Sequence, residues 1–308
     1  MNKKITTAVA ALLLLVPTAS NAALKNTSIE PTLAILDTAI DTSLPIFKDK
    51  IIQEVCLLER GPCPNGTTYM EGNGAASMPA NMITKNGFEH GTQMTYLAVL
   101  NNPNMKIVFV RIIGNSPDGI RQVATEAAVY NALQWVIDNK DKYNIKAVAM
   151  AQAASNWSAG EDYCPKTPIT QSKIQSLVAS NVPVFLPAGN DFNYTKLRWP
   201  ACLPEAVAIG ATMPTKAVAV YTNYDAKLID FFALGTTTTY GPGNVKYPIA
   251  GTSASIQAAA AMWIAISSAK PGLTYTQMYD LISRTSTPTS NSKIKGGKLI
   301  NLQGALNG

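Results

Sequence analysis

The chain has 308 residues, enough for one large domain or two small ones with an ample core. Its 25 Lys+Arg against 19 Asp+Glu give a formal charge of +6, but the excess is scattered and forms no basic run, which argues against nucleic acid as a partner. Four cysteines without a Cys-x-x-Cys pair, and one histidine, argue against a zinc centre, and no internal repeat or low-complexity tract points to a solenoid or a disordered chain.

Residues 1–22 read as a signal peptide. Lys3 and Lys4 make a positive start, residues 8–16 a short apolar core, Pro17 a break, and Ser20-Asn21-Ala22 the small residues of a cleavage site. The apolar run is too short for a permanent anchor, and no later stretch is long and apolar enough to span a bilayer. Residues 23–308 are then expected as one exported domain without a membrane anchor, periplasmic or secreted. In that setting four cysteines suggest disulfides with three alternative pairings. The Gly61-Pro62 turn inside the Cys56–Cys63 segment can bring its ends together, so Cys56–Cys63 with Cys164–Cys202 is the favoured pairing.

Thr32-Leu-Ala-Ile-Leu-Asp37 is an apolar run suited to a buried parallel strand, closed by a carboxylate. Residues 46–58 suggest a short helix within an otherwise irregular stretch. Gly87-Phe-Glu-His90-Gly-Thr then leads into a helix-compatible run to Leu100, with the sole histidine near its start. A second strand follows at residues 106–111. Ser116-Pro117-Asp118 predicts the next helix start, with Val123, Ala127, Tyr130, Leu133 and Ile137 on its packed face. Further strands are expected at 146–151, 182–190, 205–211 and 230–235, with helices at 170–180 and 274–284. A Thr-rich loop leads to Ala250-Gly251-Thr252, which delivers Ser253 to the start of an alanine-rich helix. Alternating strands and helices predict an α/β fold, a doubly wound and mainly parallel sheet with helices on both faces.

Asp37, His90, Asn190 and Ser253 each close a strand or open a helix, so all four can meet at one edge of such a sheet. Their chemistry is complementary. Ser253 needs a base, the imidazole of His90 is of the type that can serve as one, Asp37 can orient it, and Asn190 can donate to an oxyanion beside the Ser253 backbone N–H. The order Asp–His–Ser and its motifs resemble the subtilisin-like serine proteases, or subtilases. Ala34-Ile-Leu-Asp37-Thr-Ala-Ile-Asp41, His90-Gly-Thr, Ala188-Gly-Asn190 and Gly251-Thr-Ser253 are similar to the family's four motifs, and the resemblance runs from about Leu33 to Ile266.

The resemblance implies an exported serine endopeptidase acting on a peptide or protein substrate through an acyl-enzyme. Departures from the family pattern accompany it. Ala39 stands where glycine is usual, Gln93 where a second histidine is usual, and Ala254-Ser-Ile-Gln257 where Met-Ala-Thr-Pro follows the serine. Gln152, Ala153 and Ala154 occupy the substrate-pairing strand, and the two alanine methyls predict a narrow pocket for small or slender side chains before the cleaved bond. The short span between residue 22 and Asp37 leaves no room for the family's N-terminal propeptide. No cofactor is expected. Many subtilases bind structural calcium, but the acidic residues here form no compact oxygen-ligand string. Two alternatives use the same residues: a catalytically silent subtilase fold that binds peptides or a protein partner, and a peptide ligase.

Overall fold

The computed structural model describes residues 30–78, 87–115, 121–122, 124–152, 164 and 167–308. The signal-peptide reading of residues 1–22, the Ser116-Pro117-Asp118 turn, and Ala153 with Ala154 lie outside the described residues.

Apolar runs rich in β-branched residues form the central strands of the twelve described. The twelve are β1 (Thr32–Asp37), β2 (Ile51–Leu57), β3 (Tyr69–Glu71), β4 (Lys106–Arg111), β5 (Ile145–Met150), β6 (Val184–Pro187), β7 (Val207–Thr212) and β8 (Phe231–Leu234), then β9 (Thr236–Gly241), β10 (Val245–Ala250), β11 (Thr287–Thr289) and β12 (Gly297–Leu299). The helices are α1 (His90–Asn101), α2 (Glu126–Asn139), α3 (Pro168–Ala179), α4 (Thr252–Ala269), α5 (Tyr275–Thr285) and α6 (Leu302–Asn307). Ten strands make one sheet in the order β11-β12-β8-β7-β6-β5-β1-β4-β2-β3. All of its recorded pairings are parallel except the two at its edges, β11 with β12 and β2 with β3.

Successive side chains of a strand point to opposite faces, so one buried strand feeds two cores. Leu33 and Ile35 of β1 join the core with α1, α4 and α5. Ala34 and Leu36 join the other, against α2 and α3. Helix α4 is buried from Ala254 through Ala261, as expected for a helix apolar all round and packed inside a domain. Among the described residues, no helix is long and apolar enough to cross a membrane. Disulfides join Cys56 to Cys63 and Cys164 to Cys202.

Strands β1 and β4 span the expected residues, and β5 to β8 fall inside the expected runs or within one residue of them. Three expectations are corrected. The helix expected at 46–58 is a 3-10 turn at Pro45–Phe47 followed by β2, which pairs in parallel with β4. Tertiary pairing overrides local pattern there, because Glu54 is buried mid-strand with its carboxylate accepting from the Gly74 and Ala76 amides at 3.0 and 3.1 Å. The Thr-rich loop is a hairpin of β9 and β10, in keeping with the strand preference of threonine. Helix α2 starts later than expected, capped by Thr125, whose side chain accepts from the Ala128 amide. Its buried face therefore runs through Ala128, Val129, Ala132, Leu133 and Val136 rather than through Ala127, Tyr130 and Ile137.

Candidate active site

The sheet reverses its order at β1. The chain builds outward through β4 and β2 on one side, and through β5 to β8 on the other. A crevice opens at the carboxyl ends of strands at such a switch point. Asp37 ends β1, Ala151 and Gln152 follow β5, and Ala188-Gly189-Asn190 follows β6.

His90 is the first residue of α1, and three hydrogen bonds lock that helix start to the loop after β1. Thr38 Oγ1 donates to the Phe88 carbonyl at 2.9 Å and accepts from the Gly91 amide at 2.8 Å. The Asp41 amide donates to Thr92 Oγ1 at 2.9 Å. Gly91 permits this approach, since a β-carbon there would lie 2.4 Å from the Ala39 carbonyl oxygen. Held this way, His90 Nδ1 lies 2.8 Å from Asp37 Oδ1 and 3.0 Å from Oδ2. A carboxylate only accepts, so Nδ1 carries the proton and Nε2 of the neutral ring is left as a base.

Asp37 is fully buried. Burial pushes its carboxyl up, but His90, the Thr38 amide and the Arg121 guanidinium more than offset this and hold it below its ordinary value. The Thr38 amide donates to Oδ1 at 2.7 Å. Gln152 Nε2 also donates to Oδ1 at 2.7 Å, and the Gln152 side chain is buried. The sequence marks neither Thr38 nor Arg121 as part of the site, and for Arg121 no local motif could have done so.

Ser253 is the second residue of α4 and not its cap, a place taken by Gly251. It lies in the first turn, where backbone N–H groups lack intrahelical acceptors. Its Oγ donates to the Ala151 carbonyl at 3.2 Å, and no hydrogen bond joins it to His90. Across the cleft, Asn190 Oδ1 accepts from the Thr252 amide at 2.9 Å and from Thr252 Oγ1 at 3.0 Å. The amide donor fixes which atom is oxygen, so Nδ2 is left to donate.

Gly189 has φ +113°, and a β-carbon there would meet Asn223 Nδ2 at 2.4 Å. Asn223 in turn holds the loop, with its Oδ1 accepting from the Asp191 and Asn193 amides at 2.8 and 3.2 Å. Arg198 grips Asp191 with two bonds of 2.7 Å, and this pairing, ahead of burial acting the other way, lowers the Asp191 carboxyl.

The cleft holds about 250 Å³ and is lined by His90, Gln152, Asn190 and Ser253, with Arg121, Asp191 and Arg198 on its walls. Four of the sequence-predicted groups are therefore brought together with Asp37 beneath them. Such an arrangement can activate a serine hydroxyl and receive an oxyanion.

A profile described as the Subtilase family matches residues 28–305. M-protease of Shouchella clausii (strain KSM-K16) is 25% identical over 263 residues, covering 82% of this chain and 63% of its own length. Subtilisin Savinase of Lederbergia lenta is 24% identical over 263 residues, covering 82% of this chain and 90% of its own. The crystal structure of a cold adapted subtilisin-like serine proteinase shares the fold, with a TM-score of 0.67, 20% identity, and 87% of each chain covered. The chain thus spans less than two thirds of the length of M-protease. With the family profile matching nearly its whole length, this chain belongs to the subtilase family.

Proposed function

We propose that this chain is an exported serine endopeptidase, hydrolysing peptide bonds with Ser253 as nucleophile, His90 as general base, Asp37 as its partner, and Asn190 with the Ser253 amide as the oxyanion site. The observation that carries this reading is the 2.8 Å His90–Asp37 contact in one cleft with Ser253 and Asn190. His90 Nε2 would take the Ser253 Oγ proton as Oγ bonds to the substrate carbonyl carbon. The carbonyl oxygen would collect negative charge against Asn190 Nδ2. Collapse would break the C–N bond, the imidazolium giving its proton to the leaving amine, and water would then release the acyl group by the same path. The hydroxyl must first leave the Ala151 carbonyl, a change of one side-chain torsion, and catalytic hydrogen bonds are often loose before substrate binds. Two disulfides and the signal-like residues 1–22 support an oxidising compartment outside the cytoplasm.

A second reading, a silent fold that only binds peptides, is favoured by that same Ser253–Ala151 bond. A fluorophosphonate probe with a peptide-library assay decides between them. The enzyme reading expects labelling that Ser253→Ala abolishes, and a roughly 10²–10³-fold loss of kcat in Asn190→Ala, the size of one lost oxyanion donor. An unlabelled chain that binds peptides without cleaving them would overturn it.

A further inference from the structure

We propose that Gln152, clamped by Arg121, is a positioning residue that sets how strongly Asp37 holds the His90 imidazole. Only the kinetic part of its test rests on the reading of the chain as a protease. Gln152 Nε2 donates to Asp37 Oδ1 at 2.7 Å, and Gln152 Oε1 accepts from Arg121 Nη2. A carboxylate only accepts and a guanidinium only donates, so these two neighbours fix the amide in one orientation.

Three donors therefore converge on Asp37 Oδ1: the Thr38 amide, Gln152 Nε2 and His90 Nδ1. The 3.2 Å separation of Gln152 Nε2 and His90 Nδ1 is the spacing of two donors on one oxygen, not a bond between them. Two consequences follow from charge and hydrogen bonding. Gln152 and Thr38 draw electron density from the oxygen that faces the imidazole, which weakens its hold on imidazolium. Arg121 sends a positive field along the same line, and among the described residues it pairs with no carboxylate.

Among the described residues, the other charged groups near the imidazole make no hydrogen bond to Asp37 or Gln152, and Glu89 Oε2 is buried without a partner. Glu89 precedes His90 in the chain, and Asp191 and Arg198 pair with each other across the cleft. Asp41 accepts from Ser43 and Gly243, and Arg111 donates to the Ile113 carbonyl and to Asn115 Oδ1. Arg121 is thus the cation coupled to the pair through a hydrogen bond. The sequence expectation of Gln152 as a substrate contact is separable from this role. A substrate contact moves KM, whereas a positioning residue moves kcat and its pH dependence.

His90 is the only histidine, so its ring is the only imidazole in an NMR titration. The titration is run in the Ser253→Ala background, with and without Gln152→Leu, Gln152→Glu and Arg121→Leu. The imidazole curve is expected to move to higher pH by about half a unit or more in each variant, most in Gln152→Glu, where a second carboxylate joins the first. Combining Gln152→Leu with Arg121→Leu should move it by less than the sum, because the two act in series. With Ser253 restored, kcat of Gln152→Leu should fall roughly tenfold, the size of one charge-assisted hydrogen bond, with KM nearly unchanged. A curve that stays in place in every variant that folds overturns the proposal, and so does a loss confined to KM. A wild type that never hydrolyses peptide while the titrations shift as expected would sink the protease reading and leave this one standing.

Discussion

Two carboxylates, Asp37 fully buried and Asp230 half-buried, lie at opposite ends of the same parallel sheet, and they are held in opposite directions. Asp37 closes β1 at the carboxyl end, beneath the cleft. Asp230 sits just ahead of β8, at the amino end. Burial raises both. For Asp230 it wins, and the group is pushed up to about 6, because only the Tyr279 hydroxyl at 2.6 Å and the Ala208 amide at 2.7 Å oppose it, with help from Lys298. For Asp37 it loses to His90, Thr38 and Arg121. Two neutral hydrogen bonds and the field of a lysine leave Asp230 raised, whereas an imidazole bonded directly to the carboxylate, with Thr38 and Arg121, reverses the effect of burial at Asp37. The difference separates a carboxylate that can serve a base from one that tunes stability.

The largest test removes the charge at the carboxyl end. Asp37→Asn should lower kcat about 10⁴-fold, a size typical of serine-protease triads, because the imidazole loses both its orientation and its counter-charge. Asp230→Asn should leave kcat/KM within a factor of about two. Similar losses in both variants would erase the distinction.

The next effect is in stability. A folded value near 6, above the ordinary 3.8, means that the unfolded group releases its proton first as pH rises. The stabilisation is full below about pH 4 and is lost as pH rises through 6. Asp37 has the opposite sign: its contribution is present above its ordinary range and disappears as pH falls through the lowered folded value. Urea unfolding at pH 4 and pH 7 should therefore show Asp230→Asn gaining about 2–3 kcal/mol relative to wild type across that interval, at about 1.4 kcal/mol per unit. No relative gain would mean that Asp230 stays ionised throughout.

The smallest effect sharpens the same point. Tyr279→Phe removes a donor from Asp230 and should cost about 1–2 kcal/mol at pH 7, and less at pH 4, where the carboxyl is protonated. A cost that does not vary with pH would assign Tyr279 to packing against Phe231, whose ring lies 5.0 Å away.

Legibility in the sequence followed how far each residue's surroundings are local. Strands β1 and β4 were readable because their buried faces are written as unbroken apolar runs. His90, Asn190 and Ser253 of the cleft were readable because strand ends and helix starts carry short motifs. Strand β2 was not, since Glu54 mid-run finds its partners twenty residues and more downstream. The polar links around Asp37 divide the same way. Thr38 is its neighbour, but Gln152 lies 115 positions away, and Arg121, whose charge acts on Asp37, is hydrogen-bonded to Gln152 rather than to Asp37. Side-chain orientation across such distances is set by packing, which a motif does not encode.

Helix α4 carries Ser253 on its first turn and then runs through the middle of one core. Local opening of edge elements such as β3 or β11 need not disturb that turn, because the amides of a central helix exchange with solvent mainly through global unfolding. Ser253 is thereby mounted on one of the last parts of the molecule to come apart. Partial opening, the state in which a protease can cut its own kind, would expose the sheet edges long before it released the serine. If the proposed activity holds, self-digestion should begin at the margins, with fragments that still carry Ser253 in place.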